Sequence, residues 1–495
     1  MKLINKLIGA ATVIVLLSGC ENLDQTPYNS LSTETAFKTV ENAEYWRNNF
    51  YRGLRASIFG GKNAITEIQS DLLNASAEFG NRGGEEHAWR IQEGSQDVQS
   101  IWSARYSALT DINECIAKFP TIQASGAKLT LLNQYLGEAY AFRAYYFFDL
   151  VQLFSPKYEE SKKDIPNLGI PLVLTYDVTA KPQRATLAQT YDQILQDINQ
   201  AETLLATKQG KVGATTFTVD AVKALKARVL LNMGNYSDAY TVAAGLVDSG
   251  KYPLVTTQDA LEKMWHKDSE NESITQLFVA ADELSGISPY NGGDFYLGYN
   301  SNTKYYNPDY IPSKWVTDLY ENTDLRKGVY VKDLSTNFTV GTFTTTLAYK
   351  YTPGLYTNMS NYSHKPKIFR IAEQYLIAAE AAYKNNDETN AKKYLNSLRT
   401  KRGVNNISTT GDALFEDIKK ERIRELAFEG FRLNDLKRWG EACRRHTPQN
   451  IAYLLKSPAN QYYQLNKEAN DYMFTWPIPS YDILLNTNLK QNEGY

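Results

Sequence analysis

ERIRELAFEGFRLNDLKRWG, residues Glu421 to Gly440, is apolar nearly all round when read at helical period: Ile423, Leu426, Ala427, Phe428, Phe431, Leu433, Leu436 and Trp439. A helix of that composition is buried rather than laid on a surface. Charged residues are threaded through it at i,i+3 spacing, which brings side chains together on one face. The pairs are Arg422 with Glu425, Glu429 with Arg432, Arg432 with Asp435, and Asp435 with Arg438. Gly430 sits in the middle, where a glycine costs about 1 kcal/mol relative to alanine. That cost predicts a bend or a close backbone approach. Glu425 and Glu429 are the two carboxylates that an acid/base pair for glycoside hydrolysis would need. Each has an arginine within a turn, however, and a paired carboxylate stays ionised. The stretch therefore reads as a buried ion network that fixes a helix in register.

Working outward, the chain has 495 residues and a formal net charge of −2. It is long enough for one large core or two merged domains, and its charge points to neither nucleic acid nor an anionic membrane surface. At the N-terminus, Lys2 and Lys6 precede an apolar run from Ile8 to Leu17, followed by Leu17-Ser18-Gly19-Cys20. The run is too short to span a bilayer and has the layout of a signal peptide. The Leu-Ser-Gly-Cys ending resembles a bacterial lipobox. It implies cleavage before Cys20 and attachment of a palmitate-bearing lipid to its thiol. Residues 1–19 are then the signal peptide and 20–32 a lipidated tether. The other cysteines, Cys115 and Cys443, lack metal-site spacing and read as two isolated buried thiols.

After the tether, Ser32 or Thr33 is placed to cap a first helix. Helical periodicity recurs over Val98–Lys118, Leu129–Phe154 and Leu187–Ala206. Small residues then fall at the fixed offsets of tetratricopeptide units, which let two antiparallel helices approach closely. Ala227, Leu230, Ala239, Ala243 and Leu246 occupy positions 8, 11, 20, 24 and 27 of one frame, and Ala379, Ala382, Ala391, Leu395 and Leu398 the same positions of another. The expected fold is mainly α: tetratricopeptide-like helix pairs interrupted by long loop insertions.

Those insertions are where binding residues belong, because loops on a rigid scaffold usually carry function. Residues 59 to 99 are rich in glycine and asparagine, and Trp89 lies among them with Asn81 and Arg82. A tryptophan there is either a ligand platform or a side chain tucking the loop onto the core. The longest insertion, Leu284 to Tyr310, has 7 aromatic residues in 27, against about three expected from the chain-wide 12%. Pyranose C–H faces stack on aromatic rings while Asn, Asp and Arg satisfy hydroxyls. Tyr290, Asn291, Asp294, Tyr296, Tyr299, Tyr305 and Tyr306 supply both kinds of group. With Asn81, Arg82 and Trp89 they form the candidate ligand surface. Catalytic spacing is missing: the four histidines are dispersed, and there is no H-E-x-x-H, no G-x-S-x-G and no phosphate loop. No cofactor or metal is expected.

The pattern R-x-x-E-L-x-F-E-G-x-R-x-x-D-L-x-R-W from Arg422 to Trp439 resembles the C-terminal signature of the SusD/RagB family, lipoproteins of Bacteroidetes-type nutrient-uptake systems. The entry Leu23-Asp24-Gln25-Thr26-Pro27 and the terminus WPIPSYDILLNTNLKQNEGY are similar to that family too; Asp482, Thr487 and Glu493 depart from its pattern. The resemblance implies a SusD-like fold, with 33–270 as its N-terminal part and 271–495 as its C-terminal part, forming one unit. It also implies a non-catalytic surface lipoprotein of the outer membrane. Such a protein captures a glycan and delivers it to a SusC-like TonB-dependent transporter. A peptide, as in the RagB branch, is the alternative ligand, and a surface glycoside hydrolase a more distant one.

Overall fold

The computed structural model describes residues 35–59, 62–177, 179–280, 293–300, 302–352, 364–445, 448–454 and 464–495. Cys20, the signal and tether segments, Tyr290, Asn291 and the side chain of Asp294 lie outside them. Twelve stretches of eight or more residues are helical there: α1 Val40–Phe59, α2 Lys62–Gln69, α3 Gln96–Lys118, α4 Gly126–Phe154, α5 Leu187–Leu204, α6 Val219–Met233, α7 Tyr236–Asp248, α8 Gln258–His266, α9 Ile371–Lys384, α10 Glu388–Lys401, α11 Gly411–Leu426 and α12 Arg432–Trp439. The fold is mainly α. The candidate caps Ser32 and Thr33 lie outside the described residues; α1 starts at Val40, where Thr39 and Asn42 exchange capping bonds of 3.1 and 3.2 Å.

Helices α3, α4, α5, α6 and α7 pack in sequence order, and α9 then packs on α7, α10 and α11. The two tetratricopeptide-like pairs, α6/α7 and α9/α10, are thus distant in sequence and adjacent in space. Their signature alanines and leucines are at most 4% exposed. The pairs turn sharply for identifiable reasons. Gly234 ends α6 in the left-handed region at φ 73° and Asn235 caps α7; Asp387 caps α10, its carboxylate accepting the Asn390 N–H at 3.0 Å. Helix α4 approaches α5 closely at Gly137, where an added Cβ would lie 2.9 Å from Leu204 and Leu205.

Short antiparallel pairs occupy the insertions: β1 Leu73–Ala75 with β3 Tyr310–Pro312, β2 Ser273–Gln276 with β6 Lys367–Arg370, and the hairpin β4 Val331–Phe338 with β5 Gly341–Ala348. One apolar core runs from Val40 to Leu489. Cys115 and Cys443 are buried free thiols. Among the described residues no helix is long and apolar enough to cross a membrane, and no cluster of His, Cys, Asp and Glu could hold a metal ion.

The 421–440 stretch is two helices, not one. Helix α11 ends at Leu426, Phe428 and Gly430 take φ of +69° and +87°, and α12 begins at Arg432. The bend and the close approach expected at Gly430 are both present: a Cβ there would meet Asn63 at 2.8 Å. Most of the expected i,i+3 pairs do not form: the break separates Glu429 from Arg432, while Arg422, Glu425 and Arg432 take partners on other elements or across the turn. Only Asp435 with Arg438 survives, at 3.0 Å.

Candidate ligand-binding site

Two of the signature carboxylates, Glu425 and Glu429, are held by cations from elsewhere in the chain. Glu425 accepts bonds from Arg370 at 2.8 Å, Arg402 at 2.9 and 3.0 Å, Arg326 at 3.1 Å and the Tyr330 hydroxyl at 3.1 Å. Glu429 takes Arg370 at 2.7 Å and Lys350 at 2.6 Å. Arg422 pairs with Asp435 at 2.6 Å, and Arg432 grips Asp71 through two bonds of 2.7 and 2.8 Å. Burial by itself would raise the Glu425 and Glu429 carboxyls. The surrounding charges prevail: Arg402 and Arg370 hold Glu425 well below the usual range, and Arg370 and Lys350 hold Glu429 down. A general acid needs a raised pKa, so this pair suits structure rather than proton transfer.

Beside this network lies the aromatic insertion. Tyr299 and Tyr306 pair across a tight hairpin, in which Asn300 N–H donates to Tyr305 O and Asn307 N–H to Gly298 O, both at 2.9 Å. Their rings lie 5.0 Å apart. The Tyr306 arm adds alongside β4, donating to Ser335 O and accepting from Asn337 N–H, each at 3.2 Å. Tyr305 is exposed, and Tyr299 and Tyr306 are half-buried over Leu297, Phe338 and Leu347. The loop bearing Asn81 and Arg82 is tied to the same insertion. Arg82 donates to Asp309 at 2.7 Å and lies 4.7 Å above the Phe295 ring; Gly80 N–H donates to Asp309 at 3.2 Å, and Ser76 N–H to Asp309 O at 2.8 Å. Asn81, at φ 68°, is exposed. The structure therefore joins Asn81, Arg82, Tyr299, Tyr305 and Tyr306 on connected loops.

Two expected residues are not on that face. Trp89 is 1% exposed: its indole N–H donates to Gln69 O at 2.7 Å and its ring meets Phe474 edge-on at 4.8 Å. Of its two readings, the tuck onto the core holds. An indole that can satisfy its only donor inside gains more by burying its large apolar area than by staying wet. Tyr296 is likewise 1% exposed, its ring 5.8 Å from Phe428.

Behind the insertion Tyr296 borders a cavity of about 100 Å³ beneath the Phe428–Phe431 turn. Trp265, Tyr351, Arg422, Asn63 and Asn434 also line it. Sequence reading missed this feature. Its lining residues come from eight separate parts of the chain, and only the glycine of the turn hinted that something approaches closely there.

Two family models cover the chain in tandem. One, described as starch-binding associating with outer membrane, matches residues 21–231, and one described as the SusD family matches residues 290–495. The chain belongs to the SusD/RagB family. Two curated relatives come from Formosa agariphila. SusD-like protein P38 is 26% identical over 275 residues, which is 52% of this chain and about half (48%) of that protein; SusD-like protein P2 is 22% identical over 98% of both. Among solved structures, a SusD superfamily protein from Bacteroides thetaiotaomicron superposes with a TM-score of 0.80 at 25% identity, over 92% of this chain and 99% of that one. A laminarin-binding SusD-like protein superposes at 0.70 and 21%, over 93% and 100%, a likeness of fold. Within this SusD-family chain, the signature is the ion network under the turn, and the tyrosine insertion is a separate feature beside it.

Proposed function

We propose that this chain is a cell-surface, glycan-binding lipoprotein. It is anchored in the outer membrane through Cys20 and passes captured oligosaccharide to a SusC-like TonB-dependent transporter without cleaving it. One observation carries the reading: Tyr299, Tyr305 and Tyr306 stand together at the surface, linked through Asp309 to the loop of Asn81 and Arg82. Ring faces beside planar hydrogen-bonding groups are what a pyranose needs. The family description as starch-binding and the laminarin-binding neighbour support the same ligand class. The pairing of Glu425 and Glu429 with cations supports the absence of acid/base chemistry at the signature. The test is an array of neutral polysaccharides and of peptides, with chromatography of the bound material. Retention of intact polysaccharide is expected. Release of shorter sugars would establish a hydrolase, and retention of peptides alone would establish the RagB-like alternative. For the anchor, Cys20→Ala is expected to move the folded protein out of the outer-membrane fraction; a variant that stays there contradicts it.

A further inference from the structure

The cavity beneath the Phe428–Phe431 turn has the composition of a binding site. Its volume of about 100 Å³ is several times the 10–15 Å³ that one water requires. Aromatic rings of Trp265, Tyr296, Tyr351, Phe428 and Phe431 share its wall with the amides of Asn63, Gln152, Asn232 and Asn434. Besides His364 Nδ1, which faces Asp268 at 3.4 Å, two buried polar groups at that wall have no hydrogen-bond partner in the protein: the Tyr296 hydroxyl, on a residue 1% exposed, and Arg422 Nη1, on a residue 3% exposed. An unsatisfied buried donor costs about 1–3 kcal/mol, so two around one space point to something that meets them there. The space opens to solvent along a rim of half-buried residues, including Lys62, Asn63, Glu429 and Asn434.

Charge decides the class of ligand. Five cations of the wall are already matched: Lys62 with Asp149 at 2.7 Å, Arg228 with Glu373 at 2.6 Å, Lys367 with Asp268 at 3.3 Å, Arg370 with Glu425 and Glu429 at 2.8 and 2.7 Å, and Arg422 with Asp435 at 2.6 Å; Lys365, half-buried, has no ion pair among the described residues. Apart from the half-buried Lys365, whose ammonium keeps contact with water, an ion of either sign entering there would lose hydration without finding an uncompensated countercharge. A neutral, polyhydroxylated molecule loses no such charge solvation, and it accepts from Arg422 and Tyr296 while its apolar faces meet the rings. We infer that this cavity is a second ligand site, built for a single neutral monosaccharide-sized unit. It is distinct from the tyrosine face and rests on the glycan reading only for the class of ligand.

The experiment is ligand-observed NMR and calorimetry on the mature chain with D-glucose, D-galactose, D-mannose, D-xylose, L-fucose and N-acetylglucosamine, against glycine, acetate and sulfate. Three proteins are compared: wild type, Tyr296→Phe and Tyr305→Ala. Saturable binding of at least one neutral sugar to the wild type is expected. Tyr296→Phe should weaken it about three- to tenfold, the value of one hydrogen bond, and should melt no lower than wild type, because the hydroxyl removed is unpartnered. Tyr305→Ala should leave monosaccharide binding unchanged, even where it weakens an oligosaccharide. No saturable sugar, equal binding by Tyr296→Phe, or preference for a charged probe overturns the inference. Loss of sugar binding in Tyr305→Ala alone assigns it to the tyrosine face and overturns it too. Failure of oligosaccharide binding with monosaccharide binding intact would sink the surface reading and leave the cavity standing.

Discussion

Glu67 shows how one residue holds the signature turn. Its carboxylate accepts the Gly430 and Phe431 N–H groups at 2.7 and 3.0 Å, and its other oxygen has no partner. Burial pushes its pKa up to about 7, against the lowering by those N–H groups. The folded state therefore binds a proton that the unfolded chain releases above its ordinary carboxyl pKa of 4.5. Its contribution is full below that value and is lost as pH rises through about 7. Glu67→Gln, which mimics the protonated form, should gain melting temperature relative to wild type as pH goes from 5 to 8; a constant gap across that range contradicts the assignment. Arg432 is the complementary case. Arg432→Ala strips both bonds from Asp71, itself 3% exposed, and should cost about 3–5 kcal/mol in chemical denaturation. Wild-type stability with lost ligand binding would make the pair part of a site. Trp89→Ala should cost a similar about 3–5 kcal/mol through the cavity it leaves. An unchanged midpoint for that variant would contradict the tuck.

Helices were the most legible elements. The spacing of small residues located both tetratricopeptide-like pairs, because close helix packing demands an alanine wherever two backbones meet, and the buried Ala239, Ala243, Ala379 and Ala382 meet that demand. Ala243→Leu, on the helix that packs against both α6 and α9, should destabilise by about 1–3 kcal/mol through overpacking; a variant melting like wild type would mean the contact has slack. The signature was half legible. Its charges and burial announced an ion network, but the i,i+3 register presumed one helix. The chain leaves helical geometry at Ala427, which takes Glu429 off the helix, and Glu425, still on α11, meets Arg326, Arg370 and Arg402 while Glu429 meets Arg370 and Lys350. No local pattern can find partners that far away. The aromatic insertion behaved likewise: its density marked a special segment, yet Phe295, Tyr296 and Tyr310 face inward while Tyr305 is exposed. Composition counts rings and does not say which way they point.

Across the molecule, the helical array supplies a rigid frame, the ion network fixes one turn of it, and the tyrosine insertion stands beside that turn. Calorimetry of wild type, Tyr305→Ala and Tyr299→Ala, with a neutral oligosaccharide retained on the array, tests that division most directly. Removing a stacking ring typically loses about 1–3 kcal/mol, roughly tenfold or more in affinity at the middle of that range. The prediction is weaker binding in both variants with the sugar recovered uncut and little change in the melting of Tyr305→Ala, whose ring is exposed. Wild-type affinity in both variants, or cleavage of the sugar, would contradict a glycan-binding face built on these tyrosines.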